Sequence, residues 1–465
     1  MSTESLRDRL GGFVPASLRE NDLALIGGVL LAIYLLFVLF SWLLGNDLNG
    51  TINTLQRVTF LIAVYAMLAL ALNLHWGYAG MFNIGVAGFM AIGVYTLGML
   101  TQAPTATPPG LGLPLWVGVV GGVLAAGLVG AIAALPALRL DADYFAIVTV
   151  GLSEIIRLTF KSQAFGEFTV AGVTLGTGGA NGIGLPANPI QALYYVGGDP
   201  ANGTTGIGGT ILSLADSVGI EPSVAINVTY ALLLAVVFVP LFYVLLVRIG
   251  NSPFGRVLKA IREDEIVAGS LGKDTARFKI IAFAVGCGLM GLAAILWYTP
   301  RGFVNPIRKT FGPIITFYVF IALIVGGAGS NTGSVIGGAV FAALLFQGPL
   351  TVASIVGEYI PTTGVPGSFV DAVAALVSLD GFAFLAYTVQ NVSSLRYVLV
   401  GVVLVYIVQN RPEGLLGHRK EPAATIDLME RDAPPEGRAT ADGSGAINEG
   451  GEAGSGTPPG GGDDE

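Results

Sequence analysis

Apolar residues fall in long runs along the chain, and ten stand out: 23–44, 58–75, 81–100, 115–136, 144–160, 224–247, 280–298, 313–327, 334–350 and 395–410. No Asp, Glu, Lys or Arg occurs within 58–138, and 310–357 is equally bare. A hydrocarbon layer about 30 Å thick is crossed by about 20 apolar residues in a helix, so these stretches must fold back as several spans. Backbone polar groups inside lipid need partners within the protein, which makes the runs helices and not strands. The pattern predicts an all-α polytopic membrane protein with about ten transmembrane helices. Glycines interrupt it at 77–88 and 326–338. Broken or re-entrant segments are expected at both places.

The polar positions are as informative. One charged island interrupts the apolar pattern at 248–279, RIGNSPFGRVLKAIREDEIVAGSLGKDTARFK, with seven Lys/Arg and four Asp/Glu between two apolar runs. Ser252 can cap free N–H groups and Pro253 suits a first turn, so a helix should start there. Phe254, Leu258, Ile261 and Ala268 recur at helical spacing, with Arg256, Lys259, Arg262 and Glu263 around them, and Gly272 supplies a stop. The prediction is one short amphipathic helix or a pair, parallel to the membrane, suited to lipid headgroups or to a groove on a soluble partner.

Composition agrees: 53% of the 465 residues are hydrophobic and 12% are charged. That is too apolar for a soluble fold of this size. The net charge of −8 belongs to the tail, because residues 412–465 hold twelve acidic and four basic side chains and the preceding 411 are neutral overall. Residues 418–465 have little apolar surface to bury and are expected to be a disordered acidic tail. The run 23–44 is too long for the apolar core of a cleavable signal and lacks a small-residue cleavage site after it, so it reads as a true span.

Basic residues are retained on the cytoplasmic side. With the N-terminus (1–22) inside, cytoplasmic segments carry sixteen of the 23 Lys/Arg, outside loops carry Arg301, Arg308 and Lys309, and four lie at segment edges. This places both termini and the island in the cytoplasm and the loop 162–223 outside. A transmembrane domain would then occupy 23–417.

Little here suggests an enzyme. A single Cys, Cys287, allows no intrachain disulfide and no Cys-based metal site, and two His, His75 and His418, cannot build a catalytic cluster. A phosphate-cradling loop needs glycines followed by Gly-Lys and Ser or Thr. The nearest string, Gly272-Lys273-Asp274, lacks the hydroxyl. No catalytic residue, metal, cofactor or nucleic-acid partner is predicted, and the chain cannot power itself.

The segment NSPFGRVLKAIREDEIVAGSLGKDTARFKIIAFAVGCGLMGLAA resembles the cytoplasmic coupling loop of branched-chain amino-acid ABC transporter permeases of the LivM type. LALNLHWGYAGMFNIGVAGFMAIGVYT at 70–96, LRLDADYFAIVTVGLSEIIRL at 138–158, GGAGSNTGSVIGGAVF at 326–341, TGGANGI at 177–183 and RPEGLLG at 411–417 resemble the same family. The resemblance covers about 60–417 in order. It implies a pore-forming plasma-membrane subunit in the lipid bilayer, paired with a second, LivH-like permease and two ATP-hydrolysing subunits, and supplied by an extracellular substrate-binding protein. It also implies that the loop docks into the ATPase through Pro253, Phe254, Arg256, Ala260, Arg262, Glu263, Asp264, Glu265, Ala268 and Gly272. Val267 and Gly269 break the Ala run of related loops, which affects individual contacts and not the docking.

A zwitterionic cargo needs polar partners for its ends and an apolar wall for its body, which broken helices supply. Asn73, His75, Tyr78 and Asn83, beside Gly77, Gly80, Gly85 and Gly88, are candidates; the same glycines equally suit close helix packing, and His75 suits a structural hydrogen bond. Glu154 and Arg157 are the only opposed charges in one span. They are functional suspects, yet their i, i+3 spacing also suits an internal ion pair. Asp141 and Asp143, after Arg139, are expected to cap the next helix. The stretch 351–395 is expected to form an amphipathic external helix, and it or 185–222 to face the binding protein. Two rival readings are a permease of the same family for urea, short amides or another small polar solute, and an ion-coupled secondary transporter with Glu154 as its coupling carboxylate.

Overall fold

The computed structural model describes residues 22–137, 142–170, 172–359, 365–378 and 380–416. The residues before Asp22, the pair Arg139 and Asp141, the Asp143 side chain and the acidic tail lie outside the described residues. Every apolar run of the sequence holds a helix. In chain order the helices are α1 (Asp22–Leu43), α2 (Leu48–Tyr78), α3 (Val86–Thr101), α4 (Leu115–Ala137), α5 (Ala142–Lys161), α6 (Gly206–Ser217), α7 (Pro222–Asn251), α8 (Pro253–Glu263) and α9 (Glu265–Ser270). They continue as α10 (Thr275–Tyr298), α11 (Pro313–Gly326), α12 (Asn331–Glu358), α13 (Phe369–Val377), α14 (Gly381–Gln390) and α15 (Val392–Asn410). Seven helices among the described residues (α1, α2, α4, α7, α10, α11 and α12) are long and apolar enough to cross a membrane, α11 together with the short helix Arg308–Phe311 that precedes it. The bent pair α14 and α15 would make an eighth. Helix α3 is apolar but only 16 residues long, and α5 carries Glu154, Arg157 and Lys161.

Two helices differ in extent from their apolar runs for local reasons. Helix α2 begins ten residues before its run, because the Asp47 carboxylate accepts the Gly50 N–H at 2.8 Å and caps a polar first stretch. Helix α3 begins at Val86 and not at 81, since residues 79–85 form a turn with Gly80 at φ +68°. Breaks inside α7 and α12 also follow from sequence. Their π segments, Leu234–Phe238 and Phe341–Gln347, lie just before Pro240 and Pro349. Each proline lacks an N–H and crowds the carbonyl four residues earlier, so the ladder widens there.

Helices α2 and α3 form the centre: residues 61–75 are all buried, as are 86–95. Small residues let the neighbours close on them. A methyl on Gly93 would lie 2.7 Å from Gly291 Cα, one on Gly122 would meet Gly93 O at 2.5 Å, and one on Gly338 would meet Ala66 N at 2.6 Å. Backbone contact of this kind replaces the hydrophobic effect as the packing force inside lipid. The outer helices turn apolar faces outward: Trp116, Val120, Leu124, Leu128 and Ile132 on α4 are exposed at four-residue spacing. A stripe of that length needs a nonaqueous neighbour. Four short strands sit away from the island. β1 (Phe168–Val170) pairs antiparallel with β2 (Val173–Leu175), and β3 (Ile183–Gly184) pairs antiparallel with β4 (Phe303–Val304). Ile183 is fully buried against Gly98 of α3. The stretch 351–395, expected to form one external helix, holds the end of α12 together with α13 and α14.

Candidate functional site: the charged island and the broken segments above it

Two helices, not one, build the island. Ser252 Oγ accepts the Gly255 N–H at 3.2 Å and starts α8 behind Pro253. Asp264 turns extended, ends α8, and accepts the Val267 N–H at 3.0 Å to start α9. Gly272 closes the pair at φ +76°. Leu258, Ile261 and Ala268 are buried, and Phe254 stacks on Phe278 of α10 at 5.2 Å between ring centroids. Gly255 lets α8 cross the end of α7, where a methyl would lie 2.1 Å from Ile249 O.

Lys259 is the surprise. Expected among the charges around the apolar face, it is buried, and its ammonium sits 5.3 Å from the centre of the Tyr78 ring. Gly255, Lys259 and Arg262 lie at i, i+4 and i+7 and therefore share one face of α8, the face that meets α2. Arg262 donates from Nη1 to Gly77 O at 2.5 Å and pairs with Glu263. Glu265 pairs with Lys279 of α10. Of the predicted docking residues, Pro253, Arg256, Ala260, Glu263, Asp264, Glu265 and Gly272 are exposed, Phe254 and Arg262 are half-buried and Ala268 is buried. Three residues outside the predicted docking set stand out beside them: Ile266, Val267 and Leu271 are 82%, 54% and 74% exposed. The signal was present as apolar residues in a charged stretch, with Val267 and Leu271 four apart.

The residues proposed for a cargo path form a closed polar lattice above the island. Asn331 donates from Nδ2 to the Tyr78 hydroxyl at 2.6 Å, Asn73 donates to Asn331 Oδ1 at 3.1 Å, and Gly329 N–H donates to Asn73 Oδ1 at 2.8 Å. Gly77 has to be glycine here, because a methyl would lie 1.9 Å from Asn73 Oδ1. His75 and Asn83 form a second group. The Gly85 N–H donates to Asn83 Oδ1 at 2.8 Å, which turns the Asn83 amide nitrogen toward His75 Nδ1 at 3.1 Å. His75 Nε2 then donates to Phe283 O at 3.1 Å, so the partners fix the tautomer. Asn73, His75, Tyr78 and Asn83 are all fully buried.

Glu154 and Arg157 pair on α5, with Arg157 Nη2 2.5 Å from Glu154 Oε1 and Nε 2.8 Å from Oε2. Arg157 Nη1 also donates to Pro306 O at 2.9 Å, which ties α5 to the turn after β4. The TGGANGI segment is held by Thr177, whose hydroxyl donates to Phe165 O at 2.7 Å. RPEGLLG has a structural role as well. The N–H groups of Leu415 and Leu416 donate to Val325 O and Gly326 O at 2.8 and 3.1 Å. These carbonyls end α11 and would otherwise be unpaired.

With this geometry in place, comparison with known proteins is decisive on family. A family model described as branched-chain amino acid transport system / permease component matches residues 54–408. The chain belongs to this family. The permease component LivM of the high-affinity branched-chain amino acid transport system of Escherichia coli (strain K12) is 30% identical over 303 residues, 65% of this chain and 64% of that protein. LivM of Salmonella typhimurium is 32% identical over 269 residues, 58% of this chain and 57% of that protein. LivH of Escherichia coli (strain K12) is 26% identical over 276 residues, 59% of this chain and 79% of its own length. The chain thus spans less than two thirds of the length of these two LivM proteins. No solved structure matches it. The matched range takes in the island, both broken segments, Glu154 and Arg157, so every candidate residue falls within the permease component.

Proposed function

We propose that this chain is a membrane-spanning permease subunit of an ABC importer that moves branched-chain amino acids (Leu, Ile, Val) across the plasma membrane. It pairs with a second, LivH-like permease, takes cargo from an extracellular binding protein, and is driven by two ATP-hydrolysing subunits. Both termini and the island face the cytoplasm. The chain itself is not an enzyme. The cargo follows the names of its relatives, which are permease proteins of branched-chain amino acid transport systems.

The observation that carries the reading is the apolar knob of Ile266, Val267 and Leu271 on a charged surface, mounted on helices bonded into the core. Such a knob fits a groove on a soluble partner. A force on α8 and α9 reaches the end of α2 through Arg262 and Gly77 O, and reaches the 327–331 turn through Tyr78, Asn331 and Asn73. The two broken segments are therefore moved together by one lever. Helix α10 follows through Glu265 and Lys279.

The test is assembly. Burial of one large apolar side chain contributes roughly 1.5–3 kcal/mol, so I266D with L271D should weaken ATPase capture about 100-fold or more while the chain still inserts in the membrane. Deletion of 253–271 should abolish capture. Undiminished pull-down of the ATPase by either variant would defeat the reading, as would leucine uptake driven by an ion gradient through this chain alone.

A further inference from the structure

Buried polar atoms are nearly always paired, and those that are not need a reason. Among the described residues there are five such side-chain atoms, and all but the Tyr95 hydroxyl gather in one place, the Tyr318 hydroxyl among them. Tyr65 OH, Trp297 Nε1 and Arg396 Nε are all buried without a hydrogen-bond partner, in residues only 0%, 4% and 9% exposed. They come from α2, α10 and α15, three helices far apart in sequence, and one connected aromatic cluster joins them.

Tyr65 is the hub of that cluster. Its ring centroid lies 5.4 Å from Trp297, 4.9 Å from Phe341 and 5.8 Å from Phe346. Tyr318 of α11 packs on Phe341 and Phe346 at 5.5 Å each. Arg396 closes the box, with its guanidinium carbon 4.1 Å from the centre of the Phe346 ring and Nη1 donating to Phe346 O at 3.1 Å. No carboxylate among the described residues pairs with it. The box therefore combines aromatic walls with a cation and three further donors.

We infer that Tyr65, Trp297, Tyr318, Phe341, Phe346 and Arg396 form an internal subsite for a small aliphatic amino acid, with the donors taking its carboxylate and the rings its apolar side chain. This deepens the permease reading and rests on it. The chemistry selects the ligand class. Trp Nε1–H and Arg Nε–H can only donate and Tyr OH can donate, so the missing partner is an acceptor. An anion is favoured by the guanidinium, and a planar carboxylate matches it best. An ammonium would find only the tyrosine oxygens. The rings are in contact in this conformation, so the subsite opens by moving a wall. Phe341 and Phe346 lie on the π segment Phe341–Gln347, where the backbone ladder is already widened, and such segments recur at functional sites.

A hydroxyl without a partner contributes nothing to the fold, and deleting one that is buried is neutral or stabilising. Y65F should therefore leave the apparent melting temperature of the purified permease pair unchanged or higher. Transport should respond otherwise. In vesicles containing the full complex with binding protein and ATP, the Y65F/R396Q double variant should lose at least 10-fold in leucine uptake while ATPase capture stays normal. Trp297 gives a direct readout: with Trp42, Trp76 and Trp116 replaced by Phe, its fluorescence should shift on adding leucine or isocaproate, which has the carboxylate without the amine, and not on adding isoamylamine, which has the amine alone. Normal uptake by the double variant, or a shift with isoamylamine and none with isocaproate, would overturn the subsite and leave the permease reading standing. A shift that persists in R396Q would also overturn it, as would water alone filling the box at saturating leucine. Failure of the unaltered complex to take up leucine would instead count against the permease reading itself.

Discussion

Replacing Gly286 by Ala tests the packing at the centre of the bundle most sharply. The added methyl would sit 2.0 Å from His75 Nε2, 2.6 Å from Cδ2 and 2.8 Å from Cε1. The ring cannot slide aside, because it stacks on Phe283 at 4.6 Å with 13° between planes. It has to rotate out, which breaks its bonds to Phe283 O and to the Asn83 amide. Overpacking costs roughly 1–3 kcal/mol, and a buried group left unpaired costs about 1–3 kcal/mol. With one or two such groups the sum is about 2–9 kcal/mol. Unfolding in mixed micelles, followed by titration with a denaturing detergent, should show this loss for G286A. In a His75→Ala background the methyl has room, so adding G286A there should cost under about 1 kcal/mol, a coupling well above the additivity expected of independent sites. A cost below about 1 kcal/mol in the unaltered chain, or equal costs in both backgrounds, would refute the reasoning.

Two further outcomes are expected from local contacts. E154Q leaves the buried Arg157 guanidinium without its carboxylate, facing a neutral amide and Pro306 O; breaking a buried pair is costly, and because Glu154 keeps 28% of its side chain exposed the loss should be about 2 kcal/mol, read in the same titration, with R157M/E154Q recovering part of it. G414A should loosen the segment that pairs with the end of α11, since Gly414 has φ +77° and a methyl there would lie 2.6 Å from Gly327 Cα; faster amide exchange at Leu415 and Leu416 would report it, and unchanged protection would count against the contact.

Much of this was readable from the pattern of residues, and the failures have physical causes. Apolar runs gave the helices because lipid enforces internal pairing over the whole length of a span. Helix ends were harder. The start of α2 at Leu48 depended on the Asp47 cap and a polar first stretch, to which hydropathy is blind. Island positions were legible from Ser252, Pro253 and Gly272, whereas the burial of Lys259 needed the position of Tyr78, 181 residues away in sequence by the numbering. Glycines at 77 and 85 marked the broken segments, but nothing local said that Asn73 would reach Asn331. The box around Tyr65 was invisible for the same reason, since its members come from five helices and none belongs to a motif.

The central claim is that a lever on the cytoplasmic side, near mid-sequence, is gripped by separate ATPases. Cys287 is buried, so a single cysteine introduced at the exposed Ser270 can be read against a low background with a membrane-impermeant maleimide. The account predicts no labelling in intact cells, full labelling after permeabilisation, and protection when the ATPase subunits are bound. Labelling of Ser270→Cys from outside intact cells would contradict it.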